Sequence, residues 1–510
     1  MSKQAIFQHL VLRQRAEAAT PAAWLFKELR SAILHGQLKP GARLPSSRNL
    51  AVQYGLARGT VVAVFARLRE SGLLASEGSA GTFVANRSWP APDPTDVGER
   101  EGRIDASMSS RADRFNSPCR FVRTKVSGVA FRSHEPALDL FPTALWSRTA
   151  ARIYRQAPVA LYGQGDPCGY YPLRATIAEH VGMWRGIRCS ASQVIITSGT
   201  QQALDLVGRL LIDEGDEVWM EDPGYTGALQ SLRAAGAKIA FIPVNREGLD
   251  VKLGILSAPR AKLIYTTPTN QFPLGVCMSL ARRKELLAWS GASGTWIVED
   301  EYDAEYCYGE RPEASLLSME GAQNVIYMGT FTKLLFNAIR LGFIIVPLRL
   351  AETFGQARSF IDKHPATLDQ AVLADFMQNG HFGHHVQRMR AVYKERHTCL
   401  ASLVEEYVPE VLQLETRATG MSTIGWLPSS LCDAAVSSQL LREGVEALPL
   451  SLFCSRNTAE PGLILGFAGC GPEELKRGVQ IVARISERWE AQTKSAQAHT
   501  NRSYCVEAVT

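Results

Sequence analysis

The pattern of apolar and polar residues divides the chain into segments of different kinds. From about residue 20 to 86 the pattern is helical and then rich in turns, whereas residues 87–135 are mostly polar. From about 136 to 490, short apolar runs alternate with helical stretches, and residues 491–510 are polar again. The chain therefore predicts two folded regions, joined by a flexible linker over 87–135 and followed by a polar tail.

The second folded region contains several short apolar runs that predict buried strands. They are residues 194–197, 217–220, 239–243, 262–266, 295–299, 325–328 and 343–346. Helical segments separate these runs, and such spacing is typical of parallel strands joined by crossover helices. We therefore predict an α/β fold for residues 136–490.

The first folded region predicts a helix-turn-helix followed by a β-hairpin. One helix covers residues 22–38, and a short helix over 47–54 follows a turn, with Ser46 as its N-cap. A further helix covers 58–71, and the glycine-rich stretch 76–84 predicts the hairpin, or wing. Because the second helix of such a pair enters the major groove, the region predicts binding to a double-stranded DNA operator.

Four residues are the candidates for DNA contact. Arg58 and Thr60 lie at the start of the second helix, where side chains reach base edges and phosphates. Arg48 begins the preceding helix and is placed to hold a phosphate, and Gly78 lies in the wing. For any single arginine the alternative is an ordinary solvated side chain.

The distribution of charge supports DNA binding. The formal net charge is +5, but residues 1–90 carry twelve Lys and Arg against four Asp and Glu, a local balance of +8 that leaves −3 for the rest. A basic end on a slightly acidic body favours a polyanionic partner for that end.

Composition also excludes several classes of protein. The ten cysteines include no C-x-x-C pair, so we predict reduced thiols and no metal site. The N-terminus does not read as a signal peptide, and no stretch approaches the roughly 20 apolar residues of a membrane helix. We expect a cytoplasmic protein with no membrane partner.

The most informative chemical candidate is Lys333, in Gly329-Thr330-Phe331-Thr332-Lys333. A lysine near the end of a buried strand loses its proton more easily and can form a Schiff base with an aldehyde cofactor. Thr330 beside it and Arg340 seven residues later suit a phosphate group. Taken alone, such a lysine is more often an ordinary surface residue.

Polar residues follow other strands of the same region. Asp300, after the strand 295–299, is suited to keep a pyridinium nitrogen protonated, and Tyr302 to donate to a ring hydroxyl; the alternative is a solvated acidic loop. Further candidates are an anion site at a helix start, a tyrosine that stacks on a ring and an asparagine that bonds a ring substituent. The residues of the anion site are Ser198, Gly199 and Thr200, the stacking tyrosine is Tyr225, and the asparagine is Asn270. For Tyr225 and Asn270, ordinary loop packing is an open alternative.

Residues 22–84 resemble the GntR-type winged helix, notably at residues 44–51 (L-P-S-S-R-x-L-A) and 81–84 (G-T-F-V). Two residues depart from that pattern. Ala57 stands where the family usually has Ser or Thr before the recognition-helix arginine, and Glu77 puts an acidic side chain in the wing.

Residues 136–490 resemble the fold-type I aminotransferases, and in this order the chain resembles the MocR-type regulators over nearly its full length. The resemblance implies large and small aminotransferase-like domains and pyridoxal 5'-phosphate bound to Lys333 as an internal aldimine. It implies roles for further residues, which are Asp300 at the pyridine nitrogen, Tyr302 at the ring hydroxyl, and Ser198, Gly199, Thr200, Thr330 and Arg340 at the phosphate. It also implies a homodimer with crossing DNA-binding heads, in which Tyr162 reaches the cofactor of the neighbouring subunit.

Two hypotheses about the second region stay open at this point: a sensor domain of a regulator, or an active aminotransferase with an accessory DNA-binding domain. Aminotransferases hold the substrate carboxylate with an arginine on a late strand, but here Ile464 stands at the corresponding place, with Arg456 nearby in the sequence. The loop after Tyr225 also lacks a basic residue. We therefore predict weak or no turnover, and an effector that is pyridoxal phosphate itself or an amine without that carboxylate, rather than an α-amino acid.

Overall fold

The computed structural model of the chain describes residues 12, 20–76, 81–86, 109, 112–115, 130–308, 313–415, 419–455 and 460–486. The chain divides into two compact units, Met1–Ser107 and Met108–Thr510, called here the N-terminal and C-terminal units.

The N-terminal unit contains three helices and a two-stranded hairpin. They are α1 (Pro21–Leu34), α2 (Ser47–Gln53), α3 (Arg58–Glu70), β1 (Leu74–Ser76) and β2 (Thr82–Val84). The strands pair antiparallel, with Leu74 opposite Val84. The predicted helix-turn-helix and wing are therefore confirmed, with bounds within a few residues of those expected.

Local chemistry explains where these helices begin. Ser46 Oγ accepts a hydrogen bond from the backbone N–H of Asn49 at 3.2 Å and caps α2, as expected. Ala57 precedes α3 and provides no side-chain cap. The helices enclose a core of fully buried side chains, among them Leu25, Leu29, Leu50, Val61 and Leu68.

A large sheet forms the centre of the C-terminal unit. Its strands are β3 (Val194–Thr197), β4 (Glu217–Asp222), β5 (Lys238–Asn245), β6 (Gly248–Leu249), β7 (Leu263–Thr266), β8 (Trp296–Glu301), β9 (Val325–Thr330) and β10 (Gly342–Ile345). Their order across the sheet is β3-β10-β9-β8-β7-β4-β5-β6. Each predicted strand coincides with an observed one.

One strand corrects the prediction of parallel crossovers. β4, β5, β7, β8 and β9 are parallel, but β10 is antiparallel to both of its neighbours, β3 and β9. Only residues 331–341 connect β9 to β10, and a parallel crossover needs about a dozen residues or more. The chain therefore turns back at the edge of the sheet instead of crossing over a face.

Helices make up most of the rest of the C-terminal unit. They are α4 (Thr143–Gln156), α5 (Tyr171–Arg185), α6 (Thr200–Leu211), α7 (Thr226–Ala235), α8 (Val251–Ser257), α9 (Leu280–Ser293), α10 (Leu348–Asp362), α11 (Thr367–Gln378), α12 (His381–Tyr407) and α13 (Asp433–Arg442). Residues 472–486 are also helical. Ile344 of β10 packs into one core and Phe343 and Ile345 into another, so the sheet is buried on both faces.

A second, smaller sheet lies late in the chain. Its strands are β11 (Gln413–Leu414), β12 (Ser422–Trp426), β13 (Leu448–Pro449) and β14 (Gly462–Gly466). The order is β11-β12-β14-β13, and every pair is antiparallel.

The last residues of the predicted linker make defined contacts in the structure. Residues 130–135, called here the leading segment, pack against the small sheet, where Phe131 bridges Gly466 and is fully buried. Further upstream, Arg114 forms an ion pair with Glu214 at 2.5 Å. Polar composition concealed these contacts. Residues 87–108, 110–111 and 116–129 of the predicted linker and the tail 491–510 lie outside the described residues.

Among the described residues, no helix has both the length and the apolar character that a membrane span requires.

Candidate functional site

The carboxyl ends of β3 and β9 and the start of β10 meet at one edge of the large sheet. Gly342, the first residue of β10, pairs with both Thr197 and Thr330. This register brings together the candidate phosphate ligands from three separate stretches of the chain. Arg340 Nη2 donates to the carbonyl oxygen of Ser198 at 2.8 Å, which holds the guanidinium at that edge.

The start of α6 forms an anion site at this edge. Gly199 occupies the N-cap position at φ +91°, and no side chain caps the helix. A Cβ at Gly342 would come within 3.0 Å of the Gly199 Cα, so the backbones approach closely. Free amide groups of the first turn, with Thr200 at its start and Arg340 beside it, suit a phosphate.

Asp300 lies buried on β8 and has one oxygen without a partner. Tyr265 donates its hydroxyl to Oδ2 at 2.7 Å, whereas Oδ1 has no hydrogen-bond partner among the described residues. Burial raises the pKa of the Asp300 carboxyl from 3.8 to about 7. A protonated ring nitrogen at Oδ1 would supply the missing donor and favour the ionised carboxylate, so this residue fits its expected role.

Lys333 lies in the connection from β9 to β10, and it is half-buried. Its Nζ donates to the backbone oxygen of His134 at 3.0 Å. The neighbouring Thr332 has a buried Oγ1 that finds no partner among the described residues, which makes it a further candidate ligand. Sequence reasoning named Thr330 but passed over Thr332, although Thr332 directly precedes the lysine.

Tyr302 and Asn270 lie together, but their side chains form hydrogen bonds that the sequence did not predict. The Tyr302 hydroxyl donates to the backbone oxygen of Asn270 at 2.8 Å. Asn270 Nδ2 lies 2.9 Å from both carboxyl oxygens of Asp303. Asp303 is a buried residue that sequence reasoning missed, and burial raises its pKa to about 8. Its two carboxyl oxygens hold the Nδ2 end of the Asn270 amide.

Tyr225 lies at the start of α7 and is held by Gln201. Gln201 Nε2 donates to the Tyr225 hydroxyl at 3.0 Å, and the ring packs edge-on against Phe272. Desolvation by burial raises the pKa of this hydroxyl. A Cβ at Gly227 would come within 2.5 Å of the Tyr225 ring and closer still to Gln201, so a side chain at 227 would disturb this arrangement.

Tyr162 lies elsewhere in the unit. Its hydroxyl donates to the carbonyl oxygen of Tyr154 at 2.7 Å, and 58% of the residue is exposed. The structure does not bring it to Lys333 of the same chain, and its role toward a neighbouring subunit stays a prediction.

His134 is a second site residue that the sequence did not reveal, because it falls within the predicted linker. Its ring packs between Tyr302 and Phe272, with centroids 5.5 and 5.1 Å away. Ser422 Oγ lies 3.2 Å from its Nε2. One signal was present in the sequence: the motif Asp139-Leu140-Phe141-Pro142 belongs to the second folded region and begins only a few residues after His134.

Ile464 lies at the centre of β14 and is almost completely buried, at 1% exposure. It pairs with Ile424 and Leu448. Its neighbours on the strand are Leu463 and Leu465, so the described strand carries no basic residue. Arg456 lies outside the described residues.

The N-terminal unit exposes the predicted DNA contacts. Arg48 and Arg58 are exposed, and Thr60 is half-buried on the first turn of α3. Gly78 and Glu77 lie outside the described residues. Sequence reasoning missed Arg43, whose backbone bridges Phe83 of the wing and whose guanidinium lies against Gly81.

Comparison with known proteins relates both units to established families. Residues 22–84 match the bacterial regulatory proteins of the gntR family, and residues 138–482 match aminotransferase class I and II. The chain is 38% identical to a probable rhizopine catabolism regulatory protein, MocR, of Rhizobium meliloti, over 89% of this chain and 91% of the relative. It is 28% identical to the HTH-type transcriptional regulator TauR of Rhodobacter capsulatus, over 89% and 93%.

The C-terminal unit also resembles solved aminotransferases. The crystal structure of the α-aminoadipate aminotransferase LysN of Thermus thermophilus, complexed with N-(5'-phosphopyridoxyl)-L-leucine, is similar at a TM-score of 0.69 and 30% identity. The match covers 76% of this chain and 98% of that one.

These findings define a transcription regulator in which a winged helix precedes a fold-type I aminotransferase domain. The chain belongs to the MocR-type subfamily of the GntR-family transcription regulators.

Proposed function

We propose that this regulator binds pyridoxal 5'-phosphate covalently through Lys333 and that the bound cofactor, or an amine that reacts with it, changes its affinity for operator DNA. The observation that carries the proposal is Asp300, a buried carboxylate with one oxygen unpartnered at the edge of the sheet where Lys333 lies. The aminotransferase class I and II family is pyridoxal-phosphate-dependent, which supports the choice of cofactor.

The residues present fit each part of this cofactor. Ser198, Gly199, Thr200, Thr330 and Arg340 would hold the phosphate, because amides, hydroxyls and a guanidinium converge there. Asp300 would hold the ring nitrogen, with Asn270 and Tyr302 at the ring hydroxyl and Tyr225 against the ring. When bound, pyridoxal phosphate supplies an aldehyde for a primary amine and a ring that withdraws electrons from it.

We infer that turnover as an aminotransferase is weak or absent. The late strand carries the buried Ile464, and Gly227 stands two residues after Tyr225, where a longer side chain would collide. Neither position offers a guanidinium, the group that binds a carboxylate in bidentate fashion. An α-amino acid would therefore be bound poorly, and an amine without a carboxylate is the better effector.

We further propose a homodimer with crossing DNA-binding heads. An apolar surface of the C-terminal unit supports the dimer, since Val159 is 87% exposed and Phe360 is 90% exposed. Thr367, which donates to the carbonyl oxygen of Leu161 in the segment of Val159, begins α11 shortly after the end of the helix that carries Phe360. A contiguous exposed apolar patch marks a surface where another protein binds.

The visible absorption spectrum tests the cofactor assignment. Purified protein mixed with pyridoxal phosphate should show the band of lysine-bound cofactor, and borohydride reduction should leave a pyridoxyl group on the peptide that contains Lys333. Lys333→Ala should lose the band, whereas Lys284→Ala, which changes an exposed lysine of α9, should keep it. A band that survives in Lys333→Ala would refute the assignment.

A further inference from the structure

A cavity of about 260 Å³, called here the α7 cavity, lies between α7 and residues 452–455 of the connection from β13 to β14. We propose that it is a second small-molecule site of this regulator, which takes a carboxylic acid with an apolar chain and a further oxygen near the other end. Among the described residues that line it, none is proposed to hold the cofactor. The inference therefore goes beyond the proposed function and does not depend on the cofactor.

The walls of the α7 cavity are mostly apolar. Met220 of β4, Phe241 of β5, Leu229 of α7 and Leu452 line it. Since liquid water occupies about 30 Å³ per molecule, the volume admits a ligand of about eight or nine heavy atoms. An apolar chain would displace water from these walls, and such burial favours binding.

Most polar groups of the lining already have partners. Both carboxyl oxygens of Glu221 accept hydrogen bonds from residues 266–271, and burial raises the pKa of this carboxyl. Ser455 donates its backbone N–H and its hydroxyl to Asp222. The Cys454 thiol donates to a backbone carbonyl oxygen 3.4 Å away. Recognition of a ligand therefore falls to the polar groups that remain.

Thr226, the first residue of α7, offers an open hydrogen-bonding group in the cavity. The residue is only 6% exposed, and its Oγ1 is buried without a hydrogen-bond partner in the part of the chain that the structure describes. A buried hydroxyl that lacks a partner is unfavourable. Because a threonine hydroxyl both donates and accepts, an oxygen of a ligand would supply the missing partner.

Arg233 provides a positive charge at the rim of the same cavity. It is exposed and follows Thr226 by seven residues, which places both on one side of α7. Its guanidinium lies 5.9 Å from the centre of the Phe241 ring, and it has no ion pair with any described residue. A guanidinium binds a carboxylate through two parallel hydrogen bonds. A monocarboxylate fits better than a phosphate, because the carboxyl groups of Glu221 and Asp222 lie close by and disfavour a second negative charge.

The α7 cavity adjoins the candidate site. Thr226 directly follows Tyr225, which we propose to pack against the cofactor ring. Phe453, which lines the cavity, packs edge-on against Phe272 at a centroid distance of 5.0 Å, and Phe272 packs against Tyr225 at 5.7 Å. A ligand in the cavity would therefore contact immediate neighbours of a proposed cofactor contact.

Three probes of similar length test the ligand class on the full-length protein in the presence of pyridoxal phosphate, with Kd measured by isothermal titration calorimetry. 6-Hydroxyhexanoate carries both recognised groups, hexanoate lacks the hydroxyl, and 1,6-hexanediol lacks the carboxylate. None is an amine, so none reacts with the aldehyde of the cofactor. We expect 6-hydroxyhexanoate to bind about fivefold more tightly than hexanoate and about tenfold more tightly than 1,6-hexanediol.

Variants assign each contact to its residue. Thr226→Val should raise Kd for 6-hydroxyhexanoate about fivefold and leave Kd for hexanoate unchanged, whereas Thr226→Ser keeps the hydroxyl and should bind as wild type. Arg233→Met, at an exposed position that leaves the core intact, should raise Kd for both carboxylates about tenfold and not for 1,6-hexanediol. Arg260→Met, which changes an exposed arginine after α8, is the matched control and should bind as wild type.

Three results would overturn the inference. One is equal Kd values for the three probes, or no binding of 6-hydroxyhexanoate up to about 10 mM. Another is binding that neither Thr226→Val nor Arg233→Met weakens. The third is a loss of probe binding in Lys333→Ala, which would place the probe in the candidate site. The expected result is that Lys333→Ala loses the cofactor band and keeps the wild-type Kd for the probe.

Discussion

At the residue scale, the site depends on a few buried carboxyl groups whose protonation follows from burial. Asp300 lies near the end of β8 and Asp303 two residues after that strand, and desolvation raises the pKa of both, to about 7 and about 8. Each has a neutral hydrogen-bonding neighbour, Tyr265 for one and Asn270 for the other. Both groups therefore respond to a charge brought into the site.

The pH dependence of folding stability should reveal the raised pKa of Asp300. Because the folded-state pKa is raised from 3.8 to about 7, the protonated form is favoured by folding; the stability associated with it is fully present below pH 3.8 and is lost as the pH rises through 7. Asp300→Asn does not titrate, so without cofactor it should gain stability relative to wild type between about pH 5 and 8, by up to roughly 4 kcal/mol. Urea unfolding of both proteins across that range measures the difference. A stability difference between the two proteins that does not change with pH would disprove the raised pKa of Asp300.

Asp303 should position Asn270 rather than contact the cofactor itself. Asp303→Ala removes the partner of Asn270 Nδ2, and we expect cofactor affinity to fall about tenfold with a shifted absorption maximum. Asp303→Asn should restore part of the affinity, since its amide oxygen still accepts. Asp205→Asn, on the surface of α6, is the control. If Asp303→Ala keeps the cofactor affinity and the absorption maximum of the wild type, Asp303 does not position Asn270.

The sequence predicted those site residues that follow strands within recognisable motifs, and missed those that only tertiary contacts bring near. Lys333, Asp300 and Arg340 were predicted because each lies at or just beyond an apolar run. His134 was missed because polar composition assigned it to the linker, and Asp303 because nothing local indicates its bond to Asn270. Ser422 is 288 positions from His134 in the chain, and no periodicity links them.

At the element scale, the positions of the strands were predicted well, but the direction of β10 was not. A continuous apolar run indicates a strand that is buried on both faces. The strand β10 is such a case, because its side chains pack into one core on each face of the sheet. Direction depends on the length and path of a connection. The short stretch between β9 and β10 reverses the chain, and the same reversal brings Lys333 and Arg340 to one edge.

The recognition helix lacks a side-chain cap, and this has a measurable consequence. Ala57→Ser should supply an acceptor for the first turn of α3 and stabilise it by about 1 kcal/mol. Amide hydrogen exchange in α3 should slow about fivefold, while exchange in α1, which Thr20 already caps, stays unchanged. Equal hydrogen exchange of α3 in the wild type and in Ala57→Ser would mean that the first backbone N–H groups of α3 already have other hydrogen-bond partners.

At the scale of the whole molecule, the leading segment belongs to the predicted linker and also contacts Lys333 in the candidate site. The leading segment carries His134, and residues upstream of it continue toward the N-terminal unit along the chain. A ligand at Lys333 would therefore act directly on this segment. Neither composition nor periodicity predicted this continuity, because both assigned residues 130–135 to the linker.

Dimer formation should depend on the exposed apolar surface near α10. Phe360→Asp places a charge where we expect a second copy to pack, so light scattering after size exclusion should find a larger monomer fraction. Leu256→Asp, at an equally solvated position on α8, should leave the dimer intact. A dimer that persists in Phe360→Asp would place the interface elsewhere.

The most direct test of the account is the affinity of the protein for DNA with and without pyridoxal phosphate. A labelled duplex selected from a random library by the wild-type protein serves as the probe, and fluorescence anisotropy gives Kd. We predict that the cofactor changes Kd for the wild-type protein and leaves Kd unchanged for Lys333→Ala, while Arg58→Ala weakens binding under both conditions. An equal response of Lys333→Ala, or no response of the wild-type protein, would contradict the claim that this aminotransferase fold serves as the sensor of a regulator.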